Sequence, residues 1–173
     1  MRKHFTKEYI TEALFRLLKE KNIEKISISE LVTTAGVSRA SFYRNYLDIN
    51  SVVDEYLASL FGNISEKYPV TTTNMRENMS LFYKELLKNK KELSLLEKNN
   101  LLDGLNKYMY ESVLSQIEEL GVFNNKYQPH FFCGATVGVI RAWISYGFKE
   151  SPEEMSKLFM GSLIGYMDLS KVK

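Results

Sequence analysis

Residues 28–46 read Ile28-Ser29-Glu30-Leu31-Val32-Thr33-Thr34-Ala35-Gly36-Val37-Ser38-Arg39-Ala40-Ser41-Phe42-Tyr43-Arg44-Asn45-Tyr46. Ser27 with Glu30 three positions on has capping-box form and opens a short helix with Ile28, Leu31, Val32 and Ala35 inward. Gly36 ends that helix, and Ser38 caps a second one running to about Tyr46. A helix, a tight glycine turn and a capped second helix make helix-turn-helix grammar. Phe42 and Tyr46 lie four apart and share an inward face, whereas Arg39 and Tyr43 share a different one. Ala40 and Ser41 are small neighbours of Arg39 in the first turn. A helix entering a major groove needs that layout: a long donor among small residues near its N-terminus. Arg39 can give two hydrogen bonds to guanine O6 and N7. Thr33, Thr34, Ser38 and Tyr43 can donate to phosphates, which positions the module without reading sequence. Arg44, the second cation of this helix, joins the DNA-facing set.

Outward from this stretch, every long segment reads helical, and no strand shows convincing alternation. Thr6 is placed to cap a helix with Ile10, Ala13, Leu14, Leu17 and Leu18 on one stripe, ending at Asn22. Asp48 or Asn50 starts a long helix to about Lys67, with Val53, Tyr56, Leu57, Leu60 and Ile64 on one side. Further helices are expected from Asn74 to Leu86, from Glu92 to Glu97 and from about Leu101 to Leu120, with a stop at Gly121. The most apolar helix spans about Pro129 to Lys149. Ser151-Pro152-Glu153-Glu154 then opens a final one to about Asp168. This is an all-α chain of about nine helices. Residues 1–48 form a head, 49–67 a connecting helix and 68–173 a helical body.

Charge is unevenly placed. Residues 1–50 hold five Lys and four Arg against five Glu and one Asp, a net of +3; the other 123 residues hold fourteen basic and fifteen acidic side chains. A basic lobe on a neutral body suits a polyanion at one end. One cysteine, Cys133, excludes an internal disulfide, and two histidines are few for a metal site. His130 and Cys133 sit three apart, but two ligands do not hold a metal and the pair has poor geometry for nucleophilic attack. No phosphate-binding, dinucleotide, zincin or nucleophile-elbow motif occurs, so no catalytic residue, metal or cofactor is expected. The charged N-terminus carries no secretory pattern, and the chain reads as cytoplasmic. Phe131 to Phe148 is apolar, but Arg141 near its middle argues for a helix buried in protein rather than lipid.

The stretch from Ile28 to Val32 and from Ala35 to Tyr46 is very similar to the signature of the TetR family of bacterial transcriptional regulators, and the resemblance covers residues 6–60. It implies that Arg39, Ala40 and Ser41 face bases, and that Thr34, Ser38 and Tyr43 face phosphates. The chain departs from the pattern at Ile49, where the family often has a phosphate-contacting lysine. The body resembles the family loosely. Its last two helices, with Ser151-Pro152-Glu153-Glu154-Met155, are similar to a C-terminal domain type common in Gram-positive members.

The resemblance implies a homodimer on double-stranded DNA carrying an inverted-repeat operator, and a small-molecule effector, apolar or aromatic. Candidate linings are Phe82, Tyr83, Tyr108, Met109, Phe132, Val137, Trp143 and Tyr146. Gly134 and Gly138, four apart, let a helix approach closely, and with Phe159, Leu163 and Met167 they are the expected dimer residues. A monomeric bundle with this helix at its centre is the competing reading. The leading function is a ligand-responsive repressor. The alternatives are an activator of the same family and a helical scaffold that binds no DNA.

Overall fold

The computed structural model describes residues 2–69, 71 and 73–163, which form ten α-helices and no strand. In chain order these are α1 (Arg2–Glu20), a 3₁₀ turn (Ile23–Lys25), α2 (Ile28–Ala35), α3 (Arg39–Tyr43), α4 (Ile49–Lys67), α5 (Met75–Lys88) and α6 (Lys90–Lys98). Then come α7 (Gly104–Tyr108), a π-helical turn (Met109–Val113), α8 (Leu114–Glu119), α9 (Gln128–Ser145) and α10 (Pro152–Leu163). The tenth helix arises because the segment expected as one helix over 101–120 is interrupted by the π turn.

Helix α1 starts at Arg2, so Thr6 lies inside it rather than at its cap. The stripe of Ile10, Ala13, Leu14, Leu17 and Leu18 is buried as the spacing predicts. It packs on α2 and α4, and α3 packs on α2. Asp48, not Asn50, caps α4: its carboxylate accepts from Ser51 N at 2.8 Å while Ser51 Oγ accepts from Asp48 N. Along α4, Val52, Val53, Leu57, Phe61 and Ile64 are buried, with Tyr56 and Leu60 half-buried. The buried arc is wider than one stripe because α4 packs on α1 near its start and on α5 and α7 beyond. One hydrogen bond ties the turn after α1 to the body: Ile23 N donates to Asn99 Oδ1 at 3.1 Å, at the end of α6.

The core of the body lies between α5, α9 and α10. Tyr83 of α5 stands edge-on to Trp143 of α9, with ring centroids 5.3 Å apart, and Phe132 meets Phe159 of α10 at 5.4 Å. Helix α9 stops at Ser145, four residues before the expected Lys149. Gly147, at φ 80°, turns the chain left-handed; its N–H bonds Ile144 O while Phe148 N bonds Trp143 O. The Phe148 ring then packs on Trp143 at 4.8 Å, the apolar contact that accompanies this kind of helix stop. Ser151 caps α10 reciprocally with Glu154, as its sequence predicts.

The end of α4 is clamped to α5 by charge. The Glu85 carboxylate accepts from Lys88 (2.9 Å), Lys67 (3.0 Å) and the Tyr68 hydroxyl (3.1 Å). These bonds, Lys88 foremost, hold its pKa down at about 2 against an ordinary 4.5. A lowered carboxylate pKa stabilises the fold above the unfolded value, and that stability is lost as pH falls through the folded value. Glu85→Gln is therefore expected to flatten the acid limb of thermal stability between pH 4.5 and about 2, with little change in slope above it. Melting curves of both chains across that range check this. An unchanged acid limb would mean the clamp contributes nothing.

Candidate nucleic-acid interface and effector cavity

The two short helices are fixed by three local devices. Ser27 Oγ accepts from Glu30 N at 3.2 Å. Glu30 completes no box, because its carboxylate is taken by Lys21 at 2.6 Å. Gly36 sits at φ 65°, with Gly36 N on Thr33 O and Val37 N on Val32 O. A side chain with a Cβ is disfavoured in that left-handed conformation, so glycine sets the turn. Ser38 Oγ accepts from Ser41 N at 3.1 Å and starts α3.

With α3 so placed, Phe42 and Tyr46 turn inward, 0% and 5% exposed, their rings 5.7 Å apart. Arg39, Ala40, Tyr43 and Arg44 are exposed and Ser41 is half-buried. Tyr43 rests edge-on against Phe42 at 5.5 Å and keeps 54% of its surface open. Arg39 makes no side-chain hydrogen bond or ion pair among the described residues.

Two hydroxyls differ from their expected state. Thr33 Oγ1 donates to Ser29 O at 2.8 Å, the usual back-bond of threonine inside a helix. Its proton is committed, so Thr33 meets a phosphate only by giving up that bond. Ser41 Oγ accepts from Ser38 Oγ (3.0 Å) and from Arg44 Nη2 (2.8 Å). Ser38, Ser41 and Arg44 thus form one chain along α3, and Arg44 is held rather than free. Sequence spacing did not show this coupling. Asn45, also unanticipated, donates from Nδ2 to Ser41 O at 2.7 Å. At the start of α4 the Asp48 carboxylate occupies the helix N-terminus, and Ile49 is half-buried against the core. That end has no cation at 49, where the family pattern has one, and its only charge in the first turn and cap is the Asp48 carboxylate.

In the body, four of the eight expected lining residues come together. Phe82, Tyr108, Met109 and Phe132 bound a cavity of about 40 Å³ with residues of α4, α5, the π turn and α8. Tyr83, Val137 and Trp143 are closed into the core instead, at 0%, 3% and 1% exposure. Their apolar surface fitted them for packing as well as for a pocket wall. Tyr146 caps the end of α9 and is 65% exposed.

Of the expected dimer residues, Gly134 and Gly138 lie on the open side of α9, with Phe131 exposed beside them. Phe159 does not: it is 3% exposed and packs on Phe132, because α10 turns that side toward the core. Leu158, 57% exposed, is the outward apolar residue of α10. Leu163 ends the described part of α10, and Met167 lies outside the described residues.

Nothing among the described residues groups three metal-ligating side chains. The His130 ring stacks on Tyr110 at 6.1 Å. Cys133 is fully buried, and burial, with Glu118 nearby, pushes its thiol up to about 11, which keeps it protonated and unreactive. No helix among the described residues is long and apolar enough to cross a membrane. Arg141 instead pairs with Asp103 at 2.8 Å.

Two capped helices around a left-handed glycine, presenting a polar second helix from an all-helical body, define a helix-turn-helix protein. Residues 71–165 match the TetR-type family model described as a transcriptional regulator C-terminal region. The chain belongs to the TetR family of transcriptional regulators. Residues 2–102 also match the model of a family of unknown function (DUF6262). Among solved structures, the dihydroxyacetone kinase operon activator DhaS has the same fold, with a TM-score of 0.54 over 92% of this chain and 94% of that one, at 16% identity. No curated protein matches the chain.

Proposed function

We propose that this regulator is a cytoplasmic homodimer that represses transcription from an inverted-repeat operator and is released by a small effector. One observation carries the reading: α3 buries Phe42 and exposes Arg39, Ala40, Tyr43 and Arg44. In this reading residues 1–48 are the DNA-binding head, 49–67 the connecting helix and 68–173 the body. Arg39, Ala40 and Ser41 meet base edges, while Thr34, Ser38 and Tyr43 meet phosphates, Ser38 by giving up its bond to Ser41 Oγ, with Thr33, tied to Ser29 O, in reserve. Arg44 steadies Ser41 and adds charge near the backbone. Two copies joined through α9 and α10 set their α3 helices about 34–36 Å apart, the spacing of successive major grooves on one DNA face.

A second reading, activation rather than repression, is favoured by the structural neighbour, which is named an operon activator. A reporter behind the selected operator separates the two by the sign of its response. Selection of bound DNA from a random pool tests the class itself. Recovery of an inverted repeat supports a dimeric sequence reader, and an unenriched pool favours the scaffold that binds no DNA.

The phosphate contacts give a sharper test. Tyr43→Phe keeps the ring on Phe42 and removes one donor. It should weaken every sequence alike, by about 1 kcal/mol per half-site, with the binding logo unchanged. Ile49→Lys restores a cation at the start of α4 and should steepen the log–log salt slope by about 0.9 per subunit. Titrations in a series of salt concentrations read both. A logo altered by Tyr43→Phe would reassign that residue to base reading.

A further inference from the structure

The cavity beside Phe82 and Tyr108 has an unusual lining: none of its side chains is charged. Its polar groups gather at the end of α4 and against it. The Tyr108 hydroxyl donates to Ser65 Oγ at 3.1 Å. Of the other lining polar groups, Thr136 gives its proton to Phe132 O and Tyr68 to Glu85, while Asn78, half-buried, gives one amide proton to Pro69 O and keeps the other. Ser65 retains its own proton, and Tyr108 retains a lone pair. Elsewhere the walls are apolar, from Met79, Met109, Val113 and Ile117 among others.

We infer that the effector is an uncharged molecule no larger than about one ring, with a single hydroxyl or carbonyl received by the Ser65–Tyr108 pair. This inference rests on the effector-responsive reading above. Charge is excluded by desolvation: a buried ion without a counter-charge loses far more hydration than a dry apolar wall returns. Glu85, reached through Tyr68, offers no free charge, because Lys67 and Lys88 already neutralise it. An apolar molecule is accepted by the walls, and its one polar group finds a donor and an acceptor side by side.

The cavity of about 40 Å³ holds water but not a ring. An apolar site that takes benzene measures about 150 Å³. Parts of the lining can yield. Met79 and Met109 are unbranched and repack readily, and Met109 and Val113 belong to the π turn, where the regular helical ladder is already broken. Phe61, Ser65 and Tyr68 form the α4 wall. Widening the cavity therefore moves the helix whose other end begins at Asp48, beside α3.

Four probes sharing one ring test this: benzyl alcohol, toluene, benzoate and benzylammonium, each titrated against the full chain by thermal shift and calorimetry. Benzyl alcohol and toluene should bind, and the two ions should bind at least a hundredfold more weakly than benzyl alcohol. The double variant S65A/Y108F should weaken benzyl alcohol by about tenfold, the effect of removing two neutral hydrogen-bonding groups, and leave toluene unchanged. Benzoate or benzylammonium binding as tightly as benzyl alcohol would overturn the ligand class. So would a double variant that weakens benzyl alcohol and toluene equally. If none of the four binds, the cavity is not the effector site. Operator selection with the unliganded chain still decides the DNA-binding reading on its own.

Discussion

Gly138→Leu should leave the protomer folded and convert the proposed dimer to monomer. A Cβ at position 138 would meet nothing within 4 Å in the protomer, and the residue is exposed on α9. Glycine inside a helix costs about 1 kcal/mol relative to a good helix former, so the variant's own helix should gain slightly. The damage falls on the partner. If α9 packs against its twofold mate through Gly134 and Gly138, a leucine there separates the backbones by a side chain's width. Such overpacking costs about 1–3 kcal/mol at each site, and a symmetric interface suffers it twice. Loss of the second head removes bivalent binding, and operator affinity should fall by about 10²–10⁴-fold. Sedimentation at micromolar concentration, a melting curve and an operator titration read the three effects separately. A wild-type monomer, or a variant dimer that still binds operator, would remove this interface.

The sequence announced most strongly those features that rest on local chemistry. Ser27, Gly36, Ser38, Asp48 and Ser151 each act within a few residues of themselves, and their turns and caps follow from residue type alone. The inward turn of Phe42 and Tyr46 follows from helical spacing, which fixes relative faces whatever surrounds them. What escaped depends on neighbours distant in the chain. Trp143 and Phe82 are both large aromatics at helical spacing, yet one is sealed in the core and the other lines a cavity. Phe159 and Leu158 are adjacent on α10, and which of them faces the core depends on where α5 and α9 lie. The π turn at Met109–Val113 has no breaker residue to signal it. Ser41 bonds Ser38 and Arg44, each three residues away. The direction of the Arg44 side chain was not legible in that spacing.

That coupling sharpens what is expected of the two arginines. Arg39 is exposed in the first turn of α3 beside Ala40, with no protein partner among the described residues, so its planar fork can meet a guanine edge. Arg39→Ala should cost about 1–3 kcal/mol in each half-site and erase preference at one base pair there, a symmetric pair of positions in the operator. Arg39→Lys separates charge from geometry. The ammonium keeps the salt slope but cannot make two parallel bonds, so discrimination should fall while electrostatic attraction stays. Arg44, bonded to Ser41 at 2.8 Å, should behave differently. Arg44→Ala should weaken all sequences together and reduce the salt slope, because it removes charge near the backbone rather than a base-reading fork. Binding-site selection with each variant distinguishes the roles. If Arg39→Ala leaves the logo intact and Arg44→Ala changes it, the reading helix is addressed by its second arginine, and Ser41 is the residue that aims it.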